Sequence, residues 1–194
     1  GRTTTLKTPM WKKFPAFLQT YLKGCLLLDL KQPMLSTDFA VFDTETTGLP
    51  IKQWGLPYDV KNPLMFQNAR LVSIAWNFDG KTTVRLVKPE GFIVPLEATK
   101  IHGISNEVAL RDGSLLEDVL NEFENILKNA NLVIAHNLNF DKAIIDSEMW
   151  RLKKQELNWP SEYCTMIQGT VKLGLVKWPK LPELYKILSG NSAD

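Results

Sequence analysis

Apolar residues run along this chain in two rhythms. Leu71 to Phe78 and Thr82 to Val87 read as strands, joined by Asp79-Gly80, a dipeptide suited to a two-residue hairpin turn. Phe39-Ala40-Val41-Phe42 and Asn131-Leu132-Val133-Ile134-Ala135 are short apolar runs of strand length. Between and after them the spacing turns helical. Leu115, Leu116, Val119, Leu120, Phe123, Ile126 and Leu127 make one face, and Ser114-Leu115-Leu116-Glu117 before it has the form of a capping box. Phe140, Ile144, Ile145, Met149 and Leu152 make a second face. A hairpin followed by helix, strand and helix predicts an α/β sandwich built on a mixed sheet.

The polar residues that interrupt this pattern carry the chemistry. Asp43 and Glu45 end the first apolar run, and period-two alternation sends both from one face of a strand. Two like charges that close are unfavourable unless a cation lies between them, so the pair reads as half of a hard-metal site for Mg²⁺ or Mn²⁺ and points to phosphate chemistry. The bland alternative is a solvated strand edge. Thr46-Thr47-Gly48 follows, offering hydroxyl and N–H donors and a glycine that permits close backbone approach. Asp141 falls in the first turn of the second predicted helix, where an acid also complements the helix dipole. Both acidic segments follow apparently buried strands, and ligand sites in α/β sheets gather at the carboxyl ends of strands.

Outside this region, residues 1–36 form an added arm in which Thr8-Pro9 precedes Trp11, Phe14, Phe17, Leu18, Tyr21 and Leu22 at helical spacing. The arm reads as a helix packed on the domain or as a docking helix for a partner. Residues 50–69 read as a long loop with Trp54, Tyr58 and Phe66 beside Lys52 and Lys61. Such a loop suits single-stranded nucleic acid, or it folds its aromatics inward over the sheet. Composition adds little: 44% hydrophobic and 23% charged residues fit one soluble globule, and a net charge of +2 does not argue for nucleic acid by itself. Cys25 and Cys164 stand far apart in sequence, consistent with a reduced, cytoplasmic setting. The run around Leu26-Leu27-Leu28 is too short to span a bilayer, so no membrane role is expected.

Taken in order, Phe42-Asp43-Thr44-Glu45-Thr46-Thr47-Gly48-Leu49, Lys100-Ile101-His102-Gly103-Ile104 and Ala135-His136-Asn137-Leu138-Asn139-Phe140-Asp141 resemble the motifs of the DEDD-type 3′→5′ exonucleases, the group that includes proofreading subunits of bacterial DNA polymerases. The resemblance covers roughly residues 38 to 188. Cys164-Thr165-Met166 and Lys177-Trp178-Pro179-Lys180-Leu181 look like a phage or bacterial single-domain branch. It implies a ribonuclease H-like fold, a mixed β-sheet flanked by helices, over residues 37–194. It also implies two Mg²⁺ or Mn²⁺ ions held by Asp43, Glu45 and Asp141, with Asp43 bridging, and a 3′ end of single-stranded or frayed DNA, or RNA, as substrate. Thr46, Thr47, Gly48, Leu49, His102, Asn137 and Phe140 become substrate contacts, with the Thr46 backbone at the terminal 3′-hydroxyl and Leu49 wedged between the last two bases.

The resemblance is incomplete at its end. Such enzymes close with a general-base His, four residues, then an Asp, whereas this chain has only His102 and His136. Asp194 stands as a candidate fourth carboxylate, and five positions before it lies Ser189. A natural protein that continues past this point is the preferred reading. A degenerate module that clamps nucleic-acid ends or a polymerase without cutting is the alternative.

Overall fold

A computed structural model describes residues 38–51 and 55–190 of the chain. The expected helical arm over 1–36, Cys25, Lys52, Trp54 and Asp194 lie outside the described residues. Five strands form one sheet in the order β3-β2-β1-β4-β5: β1 (Phe39–Thr46), β2 (Leu71–Phe78), β3 (Lys81–Leu86), β4 (Leu132–Ala135) and β5 (Ser161–Cys164). The first three are antiparallel neighbours, whereas β1, β4 and β5 run parallel. The sheet is therefore mixed, as the order of elements predicts. Asp79 and Gly80 take φ of 50° and 71°, the positive values that a two-residue hairpin turn requires, and Phe78 pairs directly with Lys81.

Helices cover the sheet. In chain order they are α1 (Leu96–His102), α2 (Asn106–Asp112), α3 (Leu116–Asn129), α4 (Leu138–Arg151), α5 (Thr165–Leu173) and α6 (Leu181–Ser189). Ala40 and Phe42 of β1 point into the main core with Leu120, Phe123 and Leu127 of α3 and Ile144, Ile145 and Met149 of α4. Phe123 sits at its aromatic centre, 5.1 Å from Phe42, 5.7 Å from Trp76 and 6.1 Å from Trp159 between ring centroids. Full burial of a ring of this kind contributes about 1.5–3 kcal/mol. The alternate residue Val41 faces the other way, into a smaller cluster with Ala75, Ile134, Tyr163 and Leu181 of α6.

One expected helix start is corrected. Ser114 does not cap α3, because its backbone completes the sheet edge instead: Ser114 N–H donates to the Leu86 carbonyl at 2.9 Å and its carbonyl accepts from Lys88 N–H at 2.8 Å. Leu115 takes the cap position and stays 48% exposed, so it leaves the apolar face on which its spacing had placed it. β3 correspondingly begins at Lys81 and ends at Leu86, with Val87 forming an isolated bridge to Ser114. In the loop after β1, Phe66 is fully buried and Tyr58 packs against the core with its ring 6.1 Å from Phe66. These two aromatics cover the core, as the inward alternative has it, while Lys61 pairs with Glu156 at 2.8 Å on the surface.

Candidate active site

The site begins where neighbouring strands differ in length. β4 pairs with β1 only along Phe39, Ala40 and Val41, whereas pairing with β2 continues to Thr46. Beyond Val41, β1 therefore has a free edge on the β4 side. Asp141 fills it. From β4 the chain passes through Asn137, held at φ 66° in the left-handed region that asparagine tolerates, and turns into α4. That reversal returns Asp141 to β1, where its Oδ1 accepts the Thr44 N–H at 3.0 Å and the Thr44 hydroxyl at 2.7 Å. Thr44 lies between Asp43 and Glu45, so one threonine fixes the third carboxylate against the other two.

Their electrostatics are mutually unfavourable. Burial first, then the charges of Asp141 and Glu45, push the Asp43 carboxyl well above its usual range. Burial raises Glu45 to about 7. Burial also raises Asp141 to about 7, against the opposing Thr44 hydrogen bonds and with a further push from Glu45. Tyr58 is raised by burial and by the Asp141 charge, which places its phenol within electrostatic reach of the same group.

These residues fit a divalent-cation site in chemistry. Three hard oxygen donors whose ionised forms are disfavoured together gain most from a cation among them. Among the described residues, no three His, Cys, Asp or Glu side chains close on one point. Mg²⁺-type ions take one or two carboxylates and complete their shell with water and phosphate oxygens, so pairs drawn from Asp43, Glu45 and Asp141 match that habit.

The raised carboxyls make metal-free stability fall with pH. Between the ordinary carboxylate pKa near 4 and the folded value of about 7 for Glu45, the folded state holds more protons than the unfolded one, so stability is lost as pH rises through this window. Glu45→Gln should therefore leave the melting temperature in EDTA unchanged near pH 4 and raise it at pH 8, where the gain in stability is on the order of 1–3 kcal/mol after allowing for partial exposure. A lower melting temperature at pH 8 would contradict the electrostatic reading of the site.

Two further motif segments meet here. Thr46 Oγ1 donates to the Gly48 carbonyl at 2.7 Å and Thr47 N–H to the Arg70 carbonyl at 2.9 Å, which fixes the turn after β1. A Cβ on Gly48 would stand 2.8 Å from the Asn68 carbonyl oxygen, so glycine is required for that close approach. Leu49 beyond it is 74% exposed. His102, the last residue of α1, is buried; its Nδ1 accepts from Ile104 N–H at 3.1 Å. Its Nε2 is left beside the Thr46 backbone without a well-formed hydrogen bond. Burial lowers the His102 pKa, opposed by that Thr46 backbone.

The remaining predicted contacts stand elsewhere. Asn137 contributes through its backbone, its carbonyl accepting from Phe140 N–H at 2.8 Å, and Phe140 leans on the main core. His136 is fully engaged: Nδ1 lies 3.0 Å from Thr165 Oγ1 and Nε2 lies 2.9 Å from the Pro179 carbonyl. It ties the exit of β4 to α5 and to the segment before α6, and burial lowers its pKa. Sequence reasoning passed over Thr44, Arg70 and Glu148. Only the seven-residue step from Asp141 to Glu148, two helical turns on one face, could have drawn attention to the last.

The chain has recognisable relatives among known proteins. The RNase T exonuclease family model matches residues 40–191. The DNA polymerase III subunit epsilon of Buchnera aphidicola subsp. Schizaphis graminum is 33% identical over 139 residues, 72% of this chain and 56% of that protein. That of Salmonella typhimurium is 33% identical over 114 residues, 59% of this chain and 44% of that one. The chain spans about half the length of the curated relatives it matches. Among solved structures, E. coli exonuclease I in complex with a 5cy-dA13 oligonucleotide aligns with a TM-score of 0.60 at 16% identity, over 80% of this chain and 36% of that one. The apo form of exonuclease I aligns at 0.55 and 16% identity over 73% and 33%. This likeness identifies the mixed sheet and its flanking helices as the ribonuclease H-like fold. With its carboxylates on β1 and α4 and the family match running through both, the chain belongs to the DEDD-type 3′→5′ exonuclease family.

Proposed function

We propose that this chain is a metal-dependent 3′→5′ exonuclease that releases 5′-mononucleotides from single-stranded or frayed DNA ends. The observation that carries the reading is the seating of Asp141 on Thr44, between Asp43 and Glu45. These three carboxylates would hold two Mg²⁺ or Mn²⁺ ions, Asp43 serving both. When bound, such ions activate a water and neutralise charge on the phosphoryl oxygens and the leaving 3′-oxygen. The protein's own share is positional. The Thr46-to-Leu49 turn receives the terminal nucleotide, the Thr46 backbone meets the 3′-hydroxyl, and exposed Leu49 separates the last two bases. His102 forms the wall beside Thr46.

A second reading, a module that clamps ends without cutting, is favoured by one observation: each histidine already spends a ring nitrogen on an internal hydrogen bond. A polymerase is the partner the epsilon homologues favour for either reading, with RNA ends a further substrate to compare. Among the described residues no helix is long and apolar enough to cross a membrane, and a place with DNA in the cytoplasm follows from the proposed substrate.

Digestion of labelled linear and circular single strands with and without Mg²⁺ or Mn²⁺ separates the readings. Linear strands should be trimmed from the 3′ end and circles should resist. Leu49→Ala should weaken capture of the terminal base by about 1–2 kcal/mol, the apolar burial lost on truncating the leucine, seen as a higher KM on linear substrate. Efficient cutting of circles would mean an endonuclease instead.

A further inference from the structure

Glu148 is a fully buried carboxyl side chain two helical turns beyond Asp141 on α4. Its oxygens take both ends of the Arg70 guanidinium, at 2.8 Å from Nε and 3.1 Å from Nη2, and Oε1 also accepts Leu71 N–H at 3.0 Å. Arg151 approaches the same carboxylate from the other side, at 3.8 Å. A fork-to-fork pair of this kind fixes direction as well as distance.

Arg70 reaches three segments around the candidate site. Its backbone pairs with Thr47 in both directions: Thr47 N–H donates to the Arg70 carbonyl at 2.9 Å, and Arg70 N–H donates to Thr47 Oγ1 at 2.9 Å. Its guanidinium lies 4.5 Å from the centre of the Phe92 ring, in the segment that leads into α1 and His102. Through Glu148 it is bound to α4, which carries Asp141. The turn, the His102 segment and the third carboxylate therefore share one anchor outside the metal site.

We propose that Glu148 and Arg70 are positioning residues that set the Thr46-to-Leu49 turn against Asp141, so that the 3′ terminus and the metal-binding carboxylates are held in one fixed relation. The assignment rests on the nuclease reading for its functional half, and its structural half stands on the hydrogen bonds alone. Replacing Glu148 leaves the Arg70 guanidinium without its fork partner, and replacing Arg70 leaves Glu148 only the more distant Arg151, so the turn loosens where Thr47 meets Arg70.

The test is amide hydrogen exchange on the metal-free protein, paired with steady-state digestion of a linear single strand in Mn²⁺. In Glu148→Gln the Thr47 amide and the segment around Phe92 should exchange at least tenfold faster, while β4 and α3 keep their protection. KM for the linear strand should rise about tenfold, with a smaller change in kcat. Arg70→Lys keeps the charge and the Leu71 bond, so it should recover part of both effects. If Glu148→Gln does not fold, the double variant Arg70→Met/Glu148→Gln removes both charges of the pair, keeps an acceptor for Leu71 N–H and is read in the same way.

Unchanged exchange at Thr47, uniformly faster exchange across the sheet, or a loosened turn with wild-type KM would each overturn the proposal. A wild-type protein that trims no linear strand would sink the nuclease reading on its own. In that event the exchange pattern still decides whether this pair sets the turn.

Discussion

Asp43→Asn is expected to abolish Mg²⁺-dependent trimming of linear DNA while leaving the fold intact. Asp43 is the carboxylate that both ion positions would share, and it stands in the middle of β1 between Phe42 and Thr44, whose side chains serve the core and Asp141. Asparagine occupies nearly the same volume and keeps one oxygen, so strand pairing to Ala75 should persist. What disappears is the negative charge that would offset bound divalent cations. Loss of several kcal/mol of transition-state stabilisation amounts to several orders of magnitude in rate. Relief of repulsion with Asp141 and Glu45 should at the same time stabilise the metal-free protein above neutral pH, because burial and those two charges hold the Asp43 carboxyl high. Single-turnover digestion and thermal melts in EDTA on the same preparation measure both. Normal turnover by a folded variant would remove Asp43 from the site.

Much of the site was legible because its acids break the apolar pattern. Asp43 and Glu45 sit where alternation alone would favour packing, and Asp141 follows a strand by the few residues needed to turn into a helix. β2 was readable residue for residue, since a mostly apolar run of strand length ending at Asp-Gly leaves little choice of turn. By contrast, α1 and α2 gave no usable period. Each is seven residues long, and Leu96, Ile101 and Leu110 point to solvent, so their apolar positions do not form an inward stripe. β5 is a short edge strand of Ser-Glu-Tyr-Cys, half exposed, with too little burial to impose a pattern.

Ser114 shows a different limit. Its capping-box sequence was sound locally, but pairing with Leu86 and Lys88 used the same backbone first. Thr44 shows the reverse. Nothing distinguishes it from other strand threonines until the short reach of β4 leaves its N–H unpaired, and then it becomes the anchor for Asp141. Both outcomes depend on where a neighbouring strand ends, which is set by packing across the whole sheet.

Hydrolysis by these 194 residues alone is expected to be slow, because neither of the two histidines among them has a lone pair to give. In His102 the Ile104 N–H occupies Nδ1, so the proton resides on Nε2, the nitrogen beside Thr46. In His136 the Pro179 carbonyl requires a proton on Nε2, and Thr165 Oγ1 then donates to Nδ1. Burial lowers both pKa values, but His102 presents only its protonated nitrogen and His136 has both ring nitrogens engaged. General-base assistance is worth about 10²–10⁴-fold, and the chain should lack that factor while still binding Mn²⁺ and single-stranded ends. Free imidazole added to the reaction should raise the rate as its neutral form accumulates. A longer form of the protein carrying the expected H-x₄-D motif should need no such help and show a rate rising with pH through a histidine-like pKa. Full activity that ignores imidazole and survives both His102→Ala and His136→Ala would show that the water's proton leaves by another route.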